Sequence, residues 1–267
     1  MTQPQPHVFT VTLNSDNLHH GHLILVNRQY PIRWQTDDGI LLNRMRLIDG
    51  AHNNMMLENT AATMFAKLLK ACNAEHTIVP VSGFRSKAEQ TDIYDQSLLE
   101  NGQVFTSKFV ARPNESEHQT GLAIDVGEKK EVIDFICPSF PDHGVCRMFR
   151  QRASQYGFIK RYDKDKEQLT GISDEPWHFR YVGYPHAVLM EKLQLCLEEY
   201  IEYVKNYEFH QEHLRVDEEN IEIYYVKATD AVTHIPVVAG ESYEISGNNV
   251  DGFIITVFHQ EARNERG

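Results

Sequence analysis

Two short segments of the 267-residue chain hold most of its reactive side chains: Ser116-Glu-His118-Gln-Thr-Gly121-Leu-Ala123-Ile-Asp125, and, about fifty residues on, Glu175-Pro-Trp-His178. Between them they offer two imidazoles and two carboxylates suited to metal chemistry. A catalytic zinc ion takes three protein ligands from His, Asp, Glu or Cys and keeps a fourth position open for water. His118, Asp125 and His178 are the residue types for those three positions. Glu175 is then left over, one short turn before His178, with Pro176 biasing it away from helical backbone. A general base belongs in that place, beside the open position. Neither segment is decisive alone, because an isolated His and Asp seven positions apart also occur as surface or capping residues, and Glu-x-x-His is no more specific. Trp177 and Phe179 read as core. His19, His20 and His22 form a rival cluster, but a turn followed by a two-sided strand favours a solvated face there, and they are assigned no role.

The elements that must position these side chains follow from periodicity. Alternation over residues 121–127 predicts a strand with Leu122, Ile124 and Val126 on one face and Gly121, Ala123 and Asp125 on the other, so small residues leave Asp125 uncrowded. Residues 77–81 read as a short strand leading through Ser82-Gly83 and Arg85 to Ser86, an N-cap for a helix over 87–101. Apolar positions at helical spacing predict a helix over 54–72. A helix over 147–156 stops at Gly157, a strand over 158–162 follows, residues 163–168 form a charged loop, and residues 177–182 form another strand. A long helix over 185–206 closes the main domain. Near the N-terminus, residues 7–13 and 22–26 read as two strands of a hairpin-like start. Beyond Tyr207, short strands over 221–227, 232–238, 242–245 and 252–258 read as a small β appendage, followed by a polar tail.

Composition excludes several classes. Lys plus Arg number 26 against 38 Asp plus Glu, giving a net charge of −12, which repels phosphate backbones and anionic membranes; no nucleic-acid or membrane partner is expected. Residues 1–17 lack a secretory pattern and no run approaches the ~18 apolar residues of a membrane span, so a cytoplasmic location is expected. The four cysteines, Cys72, Cys137, Cys146 and Cys196, show no CxxC spacing and are expected as thiols, although Cys137 and Cys146 bracket a loop where a redox link is conceivable.

The two segments, with Ser82-Gly-Phe-Arg85-Ser86 upstream, resemble the zinc D-Ala-D-Ala peptidases of the VanY, VanX and VanXY type. Leu23-Ile-Leu-Val-Asn27, Tyr156-Gly-Phe158, Thr170-Gly-Ile172 and Phe179-Arg-Tyr-Val-Gly183 are similar to that family too, so the resemblance spans roughly residues 20–206. It implies an α+β fold with a mainly antiparallel central sheet flanked by helices, over a domain of residues 1–206, with residues 207–267 as the appendage. It also implies Zn²⁺, one per chain, held by His118, Asp125 and His178. Glu175 is then the catalytic base and Arg85 the transition-state stabiliser, while Ser116 and Gln90 contact substrate. The expected partners are D-Ala-D-Ala dipeptide and peptidoglycan precursor peptides, and lack of an anchor favours the VanXY type, which implies vancomycin-type resistance by cell-wall remodelling. An L,D-carboxypeptidase or endopeptidase on the same scaffold, and a non-catalytic zinc-binding module, are the competing readings.

Overall fold

The computed structural model describes residues 7–34, 45–51, 55–216, 220–229 and 231–259. In chain order it carries β1 (Val8–Asn14), β2 (Met45–Ile48), β3 (Met55–Glu58), α1 (Asn59–Ala71), β4 (Ile78–Ser82), α2 (Lys87–Phe109), β5 (Ala123–Glu128), α3 (Gly144–Arg152), β6 (Phe158–Lys160), α4 (Glu167–Thr170), β7 (His178–Tyr181), α5 (His186–Leu193) and α6 (Leu197–Val204). Five further strands follow: β8 (Leu214–Val216), β9 (Ile221–Lys227), β10 (Val232–Val238), β11 (Ser242–Gly247) and β12 (Gly252–Phe258). The chain divides into two units, Val26–Cys196 and Met1–Leu25 with Leu197–Gly267.

The larger unit is built on a four-stranded sheet in the order β4-β5-β7-β6, every pair antiparallel. Register explains how this sheet carries both a core and a site. Ile124 pairs with Phe179 while Asp125 pairs with both Ser82 and His178, and strand alternation sends those two rows to opposite faces. Phe179 meets Phe149 of α3 edge-on at 5.0 Å, and Phe149 meets Phe65 of α1 at 6.1 Å. Each such fully buried aromatic contributes roughly 1.5–3 kcal/mol of hydrophobic stabilisation. The other row is left for polar groups.

Several expectations shift. Met55 and Met56 belong to β3, paired with β2, rather than to a helix from residue 54, which itself lies outside the described residues. The helix starts at Asn59, five residues later, because the Glu58 carboxylate caps it, accepting from Thr60 and Ala61 backbone N–H groups. Ser86 caps α2 as expected, with Glu89 completing the capping box, but α2 runs on to Phe109 through a kink at Gly102. The predicted helix over 147–156 is α3 plus a 3₁₀ turn, ending at Gly157 in the left-handed region as expected. The charged stretch after Tyr162 contains α4 rather than loop alone. The predicted helix over 185–206 is two helices, broken where Gln194 takes φ +55°.

The smaller unit corrects the expected domain boundary and the expected hairpin. β1 pairs along its whole length with β10, so the N-terminal strand belongs with the C-terminal strands and not in a 1–206 domain. Residues 22–25 form no strand with β1; their backbone donors go instead to Ser246 Oγ, from Leu23, and to the Asn248 carbonyl, from Leu25. A second sheet, in the order β11-β12-β9-β8, supplies Tyr224, Phe253, Ile255 and Val257 to a core that also holds Ile235 and Val237 of β10 and packs against Val11 and Leu13. The C-terminal strand pattern was therefore legible, while its first partner strand, two hundred residues away, was not. All four cysteines are free thiols, three of them buried and Cys137 half-buried. No helix among the described residues is long and apolar enough to cross a membrane.

Candidate metal centre

His118, Asp125 and His178 come together on the polar row of the sheet, all buried, with one donor atom from each lying within 4.8 Å of the others. β5 and β7 supply Asp125 and His178 directly, and Asp125 Oδ1 lies 2.9 Å from His178 Nδ1. His118 arrives from the 3₁₀ turn Glu117–Thr120, with Nε2 3.1 Å from Asp125 Oδ2. That turn ends at Gly121, whose φ of +72° lies in the left-handed region, and a Cβ there would stand 2.4 Å from Met45 Cε. Glycine is what allows the chain to reverse from His118 into β5.

The donor set fits a zinc ion. Tetrahedral bonds of 2.0–2.1 Å separate ligand atoms by about 3.3 Å, close to the 2.9 and 3.1 Å found here. His118 Nδ1 lies 2.7 Å from the Gly83 carbonyl and donates to it, which leaves the Nε2 lone pair facing the site. Two imidazoles and one carboxylate are the ligand types of a catalytic zinc site.

Arg85 enters from the segment between β4 and α2. Its guanidinium is fixed by Asp125 Oδ2 at 3.0 Å, Ser82 Oγ at 2.8 Å and Gln90 Oε1 at 3.3 Å. Glu175 sits after the Tyr162 carbonyl has bound its N–H, and its Oε2 is 3.7 Å from His178 Nδ1, near the donor set but outside it. Arg85, Ser116, His118, Asp125, Glu175 and Trp177 line one cleft. Ser116 precedes the 3₁₀ turn without using its hydroxyl as a cap. Gln90 was the other residue expected to contact substrate. It is fully buried behind Arg85, bonded to that guanidinium and to the Ala111 carbonyl, and does not line the cleft.

Titration follows from this packing. Burial and the Arg85 charge push His118 down to about 4, whereas the hydrogen bond to Asp125 and the negative charge of the neighbouring carboxylates outweigh burial at His178 and raise it to about 9. Burial would raise Asp125, but the charges and hydrogen bonds of His118 and His178 hold it well below the usual carboxylate range. Burial pushes Glu175 up to about 8. At pH 7 the metal-free centre thus carries a proton on His178 that an incoming cation must displace. Zinc affinity is expected to fall roughly tenfold for each pH unit below about 9, with at least one proton released per ion at pH 7. Calorimetric titration in buffers of different ionisation enthalpy reads that number, and zero release would refute the assignment.

Sequence reasoning passed over Glu117, Arg161 and Arg180. Glu117 Oε1 accepts from Arg161 Nε and Arg180 Nη1, each at 2.8 Å, and all three side chains are buried. Arg180 projects on the same strand face as His178, two residues earlier, and pairs in register with Ala123, so part of the space left by small residues on β5 faces a guanidinium. The only signal was position: Glu117 adjoins His118, and Arg180 lies two residues past His178.

An antiparallel sheet presenting a buried His/Asp/His set beside an uncommitted glutamate and an arginine defines a metal-dependent hydrolase. The family model "VanY: D-alanyl-D-alanine carboxypeptidase" matches residues 54–184. The bifunctional D-Ala-D-Ala dipeptidase and D-Ala-D-Ala carboxypeptidase VanXYC of Enterococcus gallinarum is 42% identical over 183 residues, 68% of this chain and 94% of that protein. The crystal structure of the vancomycin resistance D,D-dipeptidase VanXYg with a D-Ala-D-Ala phosphinate analog superposes with a TM-score of 0.86 at 45% identity, covering 94% of this chain and 99% of that one. A mutant of the D,D-pentapeptidase VanY from a VanB-type resistance cassette, in complex with Zn(II), gives 0.55 at 32% identity over 67% of this chain and 98% of its own. The chain belongs to the VanY D-alanyl-D-alanine carboxypeptidase family, and it is a metallopeptidase.

Proposed function

We propose that this protein hydrolyses D-Ala-D-Ala, both as the free dipeptide and as the C-terminal end of peptidoglycan pentapeptide precursors, in the cytoplasm, and so serves glycopeptide resistance. The observation that carries the reading is the convergence of His118, Asp125 and His178 with Glu175 and Arg85 on one cleft, in a chain similar to a bifunctional dipeptidase and carboxypeptidase. One zinc ion per chain would be held by His118, Asp125 and His178. Bound there, it supplies the Lewis acidity that activates water and polarises a peptide carbonyl.

The side chains do the rest. Glu175, buried and titrating near neutrality, takes a proton and returns it to the departing amine. Arg85 lowers the cost of negative charge developing on the carbonyl oxygen and draws the anionic end of a peptide into a molecule whose overall charge would repel it. Its guanidinium is held in advance by Ser82 and Gln90, so little reorganisation is needed. Ser116 offers its hydroxyl to the substrate from the cleft wall. Arg85→Ala is expected to lower kcat about 10²- to 10³-fold with zinc content unchanged, read by released D-Ala and metal analysis.

The reading itself is tested by incubating the purified protein with free D-Ala-D-Ala and, separately, with a muramyl pentapeptide, with and without a chelator. Release of D-Ala from both that stops on chelation is expected. Release only from L,D bonds would transfer the activity to an L,D-peptidase, and stoichiometric zinc without hydrolysis would leave a binding module.

A further inference from the structure

The Glu117 carboxylate is used on one side only. Both arginine hydrogen bonds, from Arg161 and Arg180, fall on Oε1, while Oε2 is buried without a hydrogen-bond partner. His178 Nε2 is likewise buried and without a partner, and the two atoms face each other across 3.6 Å. A buried polar atom left unpaired costs about 1–3 kcal/mol, and two complementary ones placed in opposition mark a contact that closes under some condition. The imidazoles identify that condition. His118 directs Nε2 at the site and anchors Nδ1 on the Gly83 carbonyl. His178 directs Nδ1 at the site, so its anchor must lie beyond Nε2, where the nearest carboxylate oxygen in reach is that of Glu117.

We propose that Glu117 is a positioning residue for the metal centre: its Oε2 accepts the Nε2–H of His178 and thereby fixes the tautomer and ring plane that aim the Nδ1 lone pair at the cation. Arg161 and Arg180 serve as a clamp that turns the free oxygen toward the ring. Ligating histidines generally donate their second N–H to such an acceptor, and here the two histidines use different acceptors, a backbone carbonyl and a doubly clamped carboxylate. The inference rests on the reading that His118, Asp125 and His178 hold the ion.

The test is Glu117→Gln, which keeps shape but replaces the anionic acceptor. Its zinc affinity, measured by competition with a chromogenic chelator, is expected to fall about 10- to 100-fold. Phe149→Leu, a core change away from the cleft, supplies a destabilised control whose zinc affinity stays at the unmutated level. Equal zinc affinity in a folded Glu117→Gln protein, or an equal loss in the Phe149→Leu control, would overturn the proposal. Should circular dichroism show that Glu117→Gln does not fold, the unmutated holoprotein decides. Imidazole ¹⁵N spectra are expected to show His178 protonated at Nε2 and His118 at Nδ1, and a His178 ring protonated at Nδ1 would refute the role. Failure of the unmutated protein to bind zinc would instead refute the metal site, so the two ideas fail separately.

Discussion

Glu175→Ala is expected to retain zinc at the level of the unmutated protein and to lose about 10²- to 10⁴-fold in turnover of D-Ala-D-Ala, the range carried by a positioned acid–base group. The separation of the two effects comes from geometry. Glu175 Oε2 stands 3.7 Å from His178 Nδ1 and is not one of the three groups, His118, Asp125 and His178, whose donor atoms all lie within 4.8 Å of one another, so removing it takes away none of the proposed ligands. In the metal-free chain burial lifts the Glu175 carboxyl to about 8. The same shift sets a stability signature. In the metal-free protein the native chain keeps a proton that the unfolded chain gives up above the ordinary value of 4.5, so Glu175 costs stability progressively as pH rises from there through about 8. Metal-free Glu175→Ala should therefore melt at a higher temperature relative to the unmutated chain at pH 8.5 than at pH 5. Thermal scans at the two pH values check this, and metal analysis alongside D-Ala release checks the first result. Normal turnover with zinc bound would remove Glu175 from the mechanism.

His118→Ala should behave differently, losing the ion and the activity together, with D-Ala release falling to that of chelator-treated protein. Three buried side chains form the donor set, and His118 is the one that does not come from the sheet. Without it, Asp125 and His178 remain a hydrogen-bonded pair at 2.9 Å, an arrangement already satisfied without a cation. Two ligands are too few for a catalytic zinc site. Dialysis against a weak chelator followed by metal analysis separates the variants: Glu175→Ala emerges loaded and His118→Ala emerges empty. Full zinc content with normal turnover in His118→Ala would show that the ion sits elsewhere.

The contrast between these variants also shows which parts of the site were legible in the chain. Strand alternation around Ala123-Ile-Asp125 placed Asp125 on the face opposite Ile124, and the register with Phe179 and His178 bears that out. The Ser86 cap and the Gly157 stop were local signals and survive folding because a cap depends on residues within one turn of itself. Met55 and Met56 misled, since apolar residues near helical spacing also suit a short strand, and pairing with β2 decided between them. Gln90, expected to contact substrate, also braces Arg85 from its buried position, a relation its place in the chain did not reveal.

By itself the sequence singled out the residues proposed here as donor set, base and arginine, together with the local turns that deliver them, because residue types and short spacings are written along the chain. Tertiary structure alone decided that β1 closes a unit with β10 and that Glu117 is clamped by Arg161 and Arg180 against the far side of His178. Those relations join residues forty to two hundred positions apart. They are set by which faces and edges must be buried once the strands have paired, a condition no single stretch of chain contains.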